Sequence, residues 1–154
     1  MTEWDSTDWR AARDAKMMEW IGDRDAVACI LMISNVAEAW DDVFDQDHKP
    51  DIDTAMVSLM VTLPMNPFWS KCQQWFQPLL VLCINAWLDA RDMEAGTRDD
   101  KVQAFVLRNL GIELVQQAVF VLHGFARMRE VSRDVRRFFE HESFFEWEQT
   151  RVNR

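Results

Sequence analysis

Little in this chain is built to interrupt a helix. Four glycines and four prolines punctuate 154 residues, and most sit between stretches of helical periodicity, which favours an all-helical protein. Tyrosine is absent. The cysteines, Cys29, Cys72 and Cys83, are odd in number and form no CxxC, so neither a disulfide framework nor a zinc knuckle is supported. Cys29 and Cys83 lie in apolar runs and read as small core residues. Cations are outnumbered, with 17 Lys and Arg against 26 Asp and Glu and a formal charge of −9. Phosphate recognition needs clustered cations, so no direct nucleic acid binding is expected; an acidic chain meets basic surfaces, cations or other proteins. The longest apolar stretch, Leu79 to Leu88, contains Asn85 and is too short to span a bilayer. The first residues, with Glu3, Asp5 and Asp8, lack the form of a signal peptide. These absences predict a cytoplasmic protein with no membrane partner.

What is present is ample core material: 49% hydrophobic residues, with 8 Trp, 10 Phe and 9 Met. The expected architecture is a single all-α domain over residues 1–154, a bundle of five to seven helices. An N-terminal helix occupies 1–22, a core bundle 23–127, and a C-terminal helix with an aromatic tail 128–154. The first helix runs from Asp8 to Trp20 and stops at Gly22. Asp23 caps a second helix to Asp45, with the core stripe Val27, Ile30, Ile33, Ala37, Trp40 and Phe44. A third covers Ile52 to Leu63, with Met56, Leu59 and Met60 facing in. Asn66 as N-cap and Pro67 at the first helical position open a fourth, which Pro78 kinks or divides near Gln74 to Gln77. It reaches Met93 and ends by Gly96. The Thr97-Arg98-Asp99-Asp100 run resembles a capping box for a fifth helix to about Arg127. That helix is apolar nearly all round, which predicts a central place, with Gly111 and Gly124 allowing close approach. A charged helix from Val131 to Glu140 and the aromatic tail follow.

The candidate chemistry is acidic. Asn35, Glu38, Asp42 and Asp45 share a stripe on the second helix; Asn85, Asp89 and Asp92 do so on the fourth; Asn109, Glu113, Gln116 and His123 on the fifth. If consecutive helices alternate in direction, Asp41, Asp42, Asp45, Asp47, Asp89, Asp92, Glu94, Asp99 and Asp100 gather at one pole. Acids at a helix C-terminus are disfavoured by about 0.3–1 kcal/mol each, so they stay in water or take a cation. The functional reading is a Mg²⁺ or Mn²⁺ site held by Asp41, Asp42, Asp45 and Asp89, with Glu38 orienting water, because hard cations take carboxylate oxygens and keep waters for a phosphate substrate. The bland reading is a solvated acidic pole.

Other residues stand out singly. Glu113 lies among Ile112, Leu114 and Val115, so it needs a partner, from Arg108, Gln117 or the second helix, or else a raised pKa that would suit a catalytic base. His123 reads as a core histidine, with a metal ligand or general base as the sharper alternative. His48 is a loop residue beside Asp45 and Asp47, and a minor ligand candidate. Arg129, Arg133, Arg136 and Arg137 form a basic stripe interleaved with Glu130, Asp134 and Glu140, a salt-bridged face or a dock for an acidic partner. Trp4, Trp9 and Trp20 at one end, and Phe144, Phe145 and Trp147 at the other, close over the core or form a partner-binding patch.

Three resemblances bear on function. The Asp41-Asp42-x-x-Asp45 run looks like the aspartate-rich motif of class I isoprenoid synthases, but the chain falls well short of the length those folds need, and no second NSE-like motif appears. The pairs Glu38/Asp41 and Asp89/Asp92 resemble the ExxE…ExxD pattern of all-α nucleoside triphosphate pyrophosphohydrolases, with shifted positions and a longer gap; this implies a small metal-dependent phosphohydrolase. Asn35-Val36-Ala37, Trp40-Asp41-Asp42, Asp45, Leu63-Pro64, Asn66-Pro67-Phe68 and Trp87 resemble a group of small uncharacterised bacteriophage and prophage proteins over roughly residues 30 to 95. That resemblance implies a phage setting, in the virion or the cytoplasm of the infected cell. The expectation favoured here is a non-enzymatic protein working by contact with another protein or with itself; the alternative is the phosphohydrolase.

Overall fold

In the computed structural model, residues 7–45, 49–140 and 142–152 are described, apart from the side chains of Asp45, Thr150, Arg151 and Val152. The described residues are all-α and form seven continuous helical runs: α1 (Thr7–Ile21), α2 (Arg24–Asp45), α3 (Ile52–Met65), α4 (Pro67–Met93), α5 (Arg98–His123), α6 (Phe125–Phe139) and α7 (Phe144–Val152). The chain divides into two compact units, Met1–Gln74 and Trp75–Arg154, with the boundary inside α4. The helix continues through Pro78 undivided.

In the first unit the punctuation works as its chemistry dictates. Gly22, with φ 70°, closes α1 by donating its N–H to the Met18 carbonyl at 2.9 Å. Asp23 Oδ1 accepts from the Ala26 N–H at 2.8 Å and starts α2. Met17, Trp20 and Ile21 of α1 and Ala26, Val27, Cys29, Ile30 and Ala39 of α2 are buried, and α1 packs on α2. The expected α2 stripe holds only in its first half, because Ala37 and Phe44 are exposed.

Helix α3 packs along α2 and departs most from expectation. Met56, Leu59 and Met60 are exposed, and the buried positions are Ala55, Ser58 and Leu63. A step of five separates the last two. Regular α geometry would carry Leu63 away from Ser58, but Ser58–Thr62 is a π turn, closed by the Leu63 N–H donating to the Ser58 carbonyl. Thr62 Oγ1 donates to the carbonyls of Ser58 (3.3 Å) and Val57 (3.4 Å). Pro64 follows directly; it has no N–H and its ring crowds the carbonyl four residues back, so a widened turn just before it relieves the clash. Asn66 then fixes the corner. Its Oδ1 caps α4 by accepting from the Trp69 N–H at 2.9 Å, and its Nδ2 donates to the Asp25 carbonyl at the start of α2, also at 2.9 Å.

In the second unit the Thr97–Asp100 capping box is present as expected. Hydrogen bonds from Thr97 hold the Asp100 carboxyl below its usual range. Helix α5 ends at His123, earlier than Arg127, because Gly124 takes φ 83°, ψ 177°. A Cβ on Gly124 or Gly111 would meet nothing within 4 Å, so neither glycine serves close approach. Leu114, Val115, Ala118 and Val119 of α5 are buried where α5 packs on α6, which buries Val131 and Val135. The other half of α5 carries the exposed Val102 and Val106, so α5 is not uniformly central. By length and composition alone α5 is apolar enough to cross a membrane, a test that core helices also pass.

The aromatic tail is itself a helix. Ser143 and Glu146 form a second capping box: Ser143 N–H and Oγ donate to Glu146 Oε2 at 2.9 and 2.7 Å, and the Glu146 N–H donates back to Oγ at 3.3 Å. Trp147 is 1% exposed and forms a cluster with Ala90 of α4 and Ala104 of α5. Phe105 and Phe144 lie 5.6 and 5.8 Å from its ring centroid. The Arg108 guanidinium lies over the same ring at 5.7 Å and reaches Glu142 at 3.9 Å.

Gly124 occupies a backbone region that is essentially restricted to glycine, costing about 1–3 kcal/mol for other residues. Gly124→Ala is therefore expected to lower stability by about that amount, read as a fall in the urea midpoint with unchanged slope, although there is room for the methyl group.

Candidate functional site

The acidic candidates have individual surroundings. Asp41 and Asp42 are half-buried near the end of α2, and Glu38 is exposed one turn earlier. The Asp45 side chain, Asp47 and His48 lie outside the described residues. Asp89 accepts from Asn85 Nδ2 at 3.0 Å along α4, and Asp92 pairs with Arg91 at 3.1 Å. Asp100 is committed to the Thr97 cap. Among the described residues, no three His, Cys, Asp or Glu side chains come together as a metal-holding group.

Glu113 has its partners, though not those expected. Arg136 of α6 reaches Oε1 at 2.6 Å and Gln116 Nε2 donates to Oε2 at 2.9 Å. Arg108 is occupied with Glu142 and Trp147 instead, and Gln117 donates to the Trp75 carbonyl at 3.4 Å. Both Glu113 oxygens are engaged, which suits a link between α5 and α6 better than a base poised to take a proton. His123 is exposed at the end of α5; it is not a core histidine.

The basic stripe is largely interlaced. Besides the Arg136 pair, Arg127 meets Glu130 at 3.0 Å, and Arg129 donates to Ser132 Oγ at 3.2 Å. Arg133 and Arg137 are exposed. Of the aromatic candidates, Trp147 and, in part, Phe144 belong to the core, so neither is an anchor for a partner; Phe145 is exposed. Trp9 is half-buried under Arg13, 5.3 Å from its centroid, and Trp4 lies outside the described residues.

The thiols are not set up as nucleophiles. Burial, with Cys72 beside it, pushes the Cys29 thiol up to about 12. Burial also raises Cys72 and Cys83, and Glu113 adds to the effect on Cys83, whose Sγ donates to the Leu110 carbonyl at 3.5 Å. A thiolate is the reactive form, and each environment works against it.

The feature that the sequence reading missed is the outer face of α3. Ile52, Met56, Val57, Leu59, Met60, Val61 and Met65 are all exposed, Met60 at 65% and Met65 at 78%. No charged residue occurs between Asp53 and Lys71. An exposed helix ordinarily carries charge on its solvent side; here the only sequence signal was that missing charge, and helical periodicity assigned the same residues to the core.

Two outcomes are expected. A double-mutant cycle of Glu113→Gln and Arg136→Met should give a coupling of about 0.5–1 kcal/mol in urea unfolding, the size of a partly solvated pair. Thermal unfolding with EDTA, Mg²⁺ or Mn²⁺ should give one midpoint for wild type, and Asp42→Asn should be as stable or slightly more so. A metal site would instead raise the wild-type midpoint alone, by the equivalent of about 2.7 kcal/mol at a hundred times the dissociation constant.

Compared with protein family models, with curated proteins and with solved structures, the chain matches none.

Proposed function

We propose that this protein acts by contact rather than by catalysis, and that the outer face of α3 is the surface through which it binds another protein. One observation carries the proposal: seven large apolar side chains stand exposed on one short helix that has no charged residue from Thr54 onward. Single exposed apolar residues are ordinary, but contiguous patches beyond a few hundred Å² mark interaction surfaces. Leu59, Met60 and Val61 are consecutive, so the exposed side chains wrap around α3 and one partner covers part of them. Three of the seven are methionines, whose unbranched thioether chains mould to irregular partners. The engagement of Glu113 by Arg136 and Gln116 supports the same reading, since it leaves that carboxylate a structural task. The resemblance of residues 30–95 to small bacteriophage and prophage proteins supplies the setting, a virion or an infected cell.

A photo-cross-linking amino acid at Met60, compared with one at the exposed Gln103 on α5, tests the proposal in the producing cell. Protein adducts are expected from position 60 and not from position 103. Absence of any protein adduct at position 60, in a chain that remains folded, would overturn it.

A further inference from the structure

We infer that the outward face of α6 is a second contact surface, a short arginine track that takes an acidic segment of another protein. It lies in the other compact unit from α3 and stands independently of the reading of that helix. Helix α6 carries five arginines, no lysine and two acids, in a chain of net charge −9. Its buried residues are Val131, Ser132 and Val135. Arg129, Arg133 and Arg137 are exposed on the opposite side, each about 40° around the helix and about 6 Å along it from the one before. Arg136, about 20° from Arg129, widens the same face.

Two features of the track point to a ligand. The first is charge left over. Pairing takes in Arg127 with Glu130, Arg136 with Glu113 and, through the Ser132 hydroxyl, Arg129. Among the described residues, neither Arg133 nor Arg137 forms an ion pair. Like charges four residues apart destabilise a helix. The helix dipole accounts for cations in the last turn, Arg136 and Arg137, and not for Arg129 and Arg133 further back. An anion laid along the track relieves that repulsion. The second feature is the chemistry of the cations. Each is a guanidinium, whose planar fork grips a carboxylate with two parallel hydrogen bonds.

The surroundings select a carboxylate-bearing segment among the anions that arginine holds. A helix that lies on lipid needs a free apolar side, and α6 packs Val131 and Val135 on α5. A nucleic acid continues past the track, which is about 12 Å long. Its phosphates would meet Glu130 and Asp134 alongside and Glu140 at the end, all exposed, and the acidic chain opposes a long polyanion. A short segment with carboxylates about 6–7 Å apart, every fourth residue of a helix or every second of a strand, matches the arginine spacing.

Fluorescence anisotropy with the full-length chain tests the inference. The probe is a labelled, blocked, alanine-based helical peptide with Glu at every fourth position, and its control carries Gln there. The Glu peptide is expected to bind at least about tenfold tighter than the Gln peptide, and to weaken as salt is raised. Arg133→Glu combined with Arg137→Glu should keep the wild-type circular dichroism and weaken the Glu peptide at least about tenfold. Lys49→Glu combined with Lys71→Glu, at exposed positions away from α6, makes the same change in net charge and should weaken it less than about threefold. Equal losses in the two double variants would overturn the track, because net charge alone would then explain binding. Equal affinity for the two peptides, or binding of neither, would overturn it as well. Oligothymidylate or phosphatidylglycerol vesicles that bind tighter than the Glu peptide, and are lost with Arg133→Glu and Arg137→Glu, would overturn the acidic protein segment as the ligand.

Discussion

Pro64 cannot donate a backbone hydrogen bond, and the shape of α3 follows from that. The π turn at Ser58–Thr62 takes up the crowding ahead of the proline and resets the helix so that Ala55, Ser58 and Leu63 share the packed side. The packed side is small and short, two aliphatic groups and a hydroxyl. The bulky side chains are therefore left over for the other side. Asn66 holds the far end of the arrangement, since one amide group both caps α4 and reaches the start of α2. The exposed face of α3 is thus a product of the backbone, fixed from its C-terminal half by the π turn and Asn66.

How much of this was legible divides along a physical line. Caps and stops are local chemistry, and most were readable: Gly22, Asp23, Asn66 and the Thr97–Asp100 box lie where residue type and spacing put them, whereas the stop at Gly124 was read as a site of close approach. The Ser143–Glu146 box obeys the same rule and was equally available, but the aromatic residues inside it drew the reading toward a tail. Which side of a helix packs is not local. On α3, apolar residues occur on nearly every side, so periodicity could not choose among them, and the inserted turn shifted the answer by a fraction of a turn. The partner of Glu113 was hidden for a related reason: Arg136 lies on another helix, and no spacing along one helix points to it.

The acids show the converse. Their clustering in sequence suggested a shared cation, because a row of like charges demands an explanation. In the fold three of them, Asp89, Asp92 and Asp100, are met singly, by an asparagine one turn away, an adjacent arginine and a threonine at a cap. A solvated carboxylate with a neighbouring donor is a stable arrangement in its own right, so acid density in a sequence is weaker testimony to a metal than convergence in space.

The methionines of α3 carry one more consequence. A thioether takes up a single oxygen atom to become a sulfoxide, which is polar and chiral, and reductases reverse the change. Met56, Met60 and Met65 stand exposed on the face, so the atoms that let it mould to a partner are also those a peroxide reaches first. From Thr54 to Met65 no side chain titrates, so the grip of that stretch is open to oxidation instead.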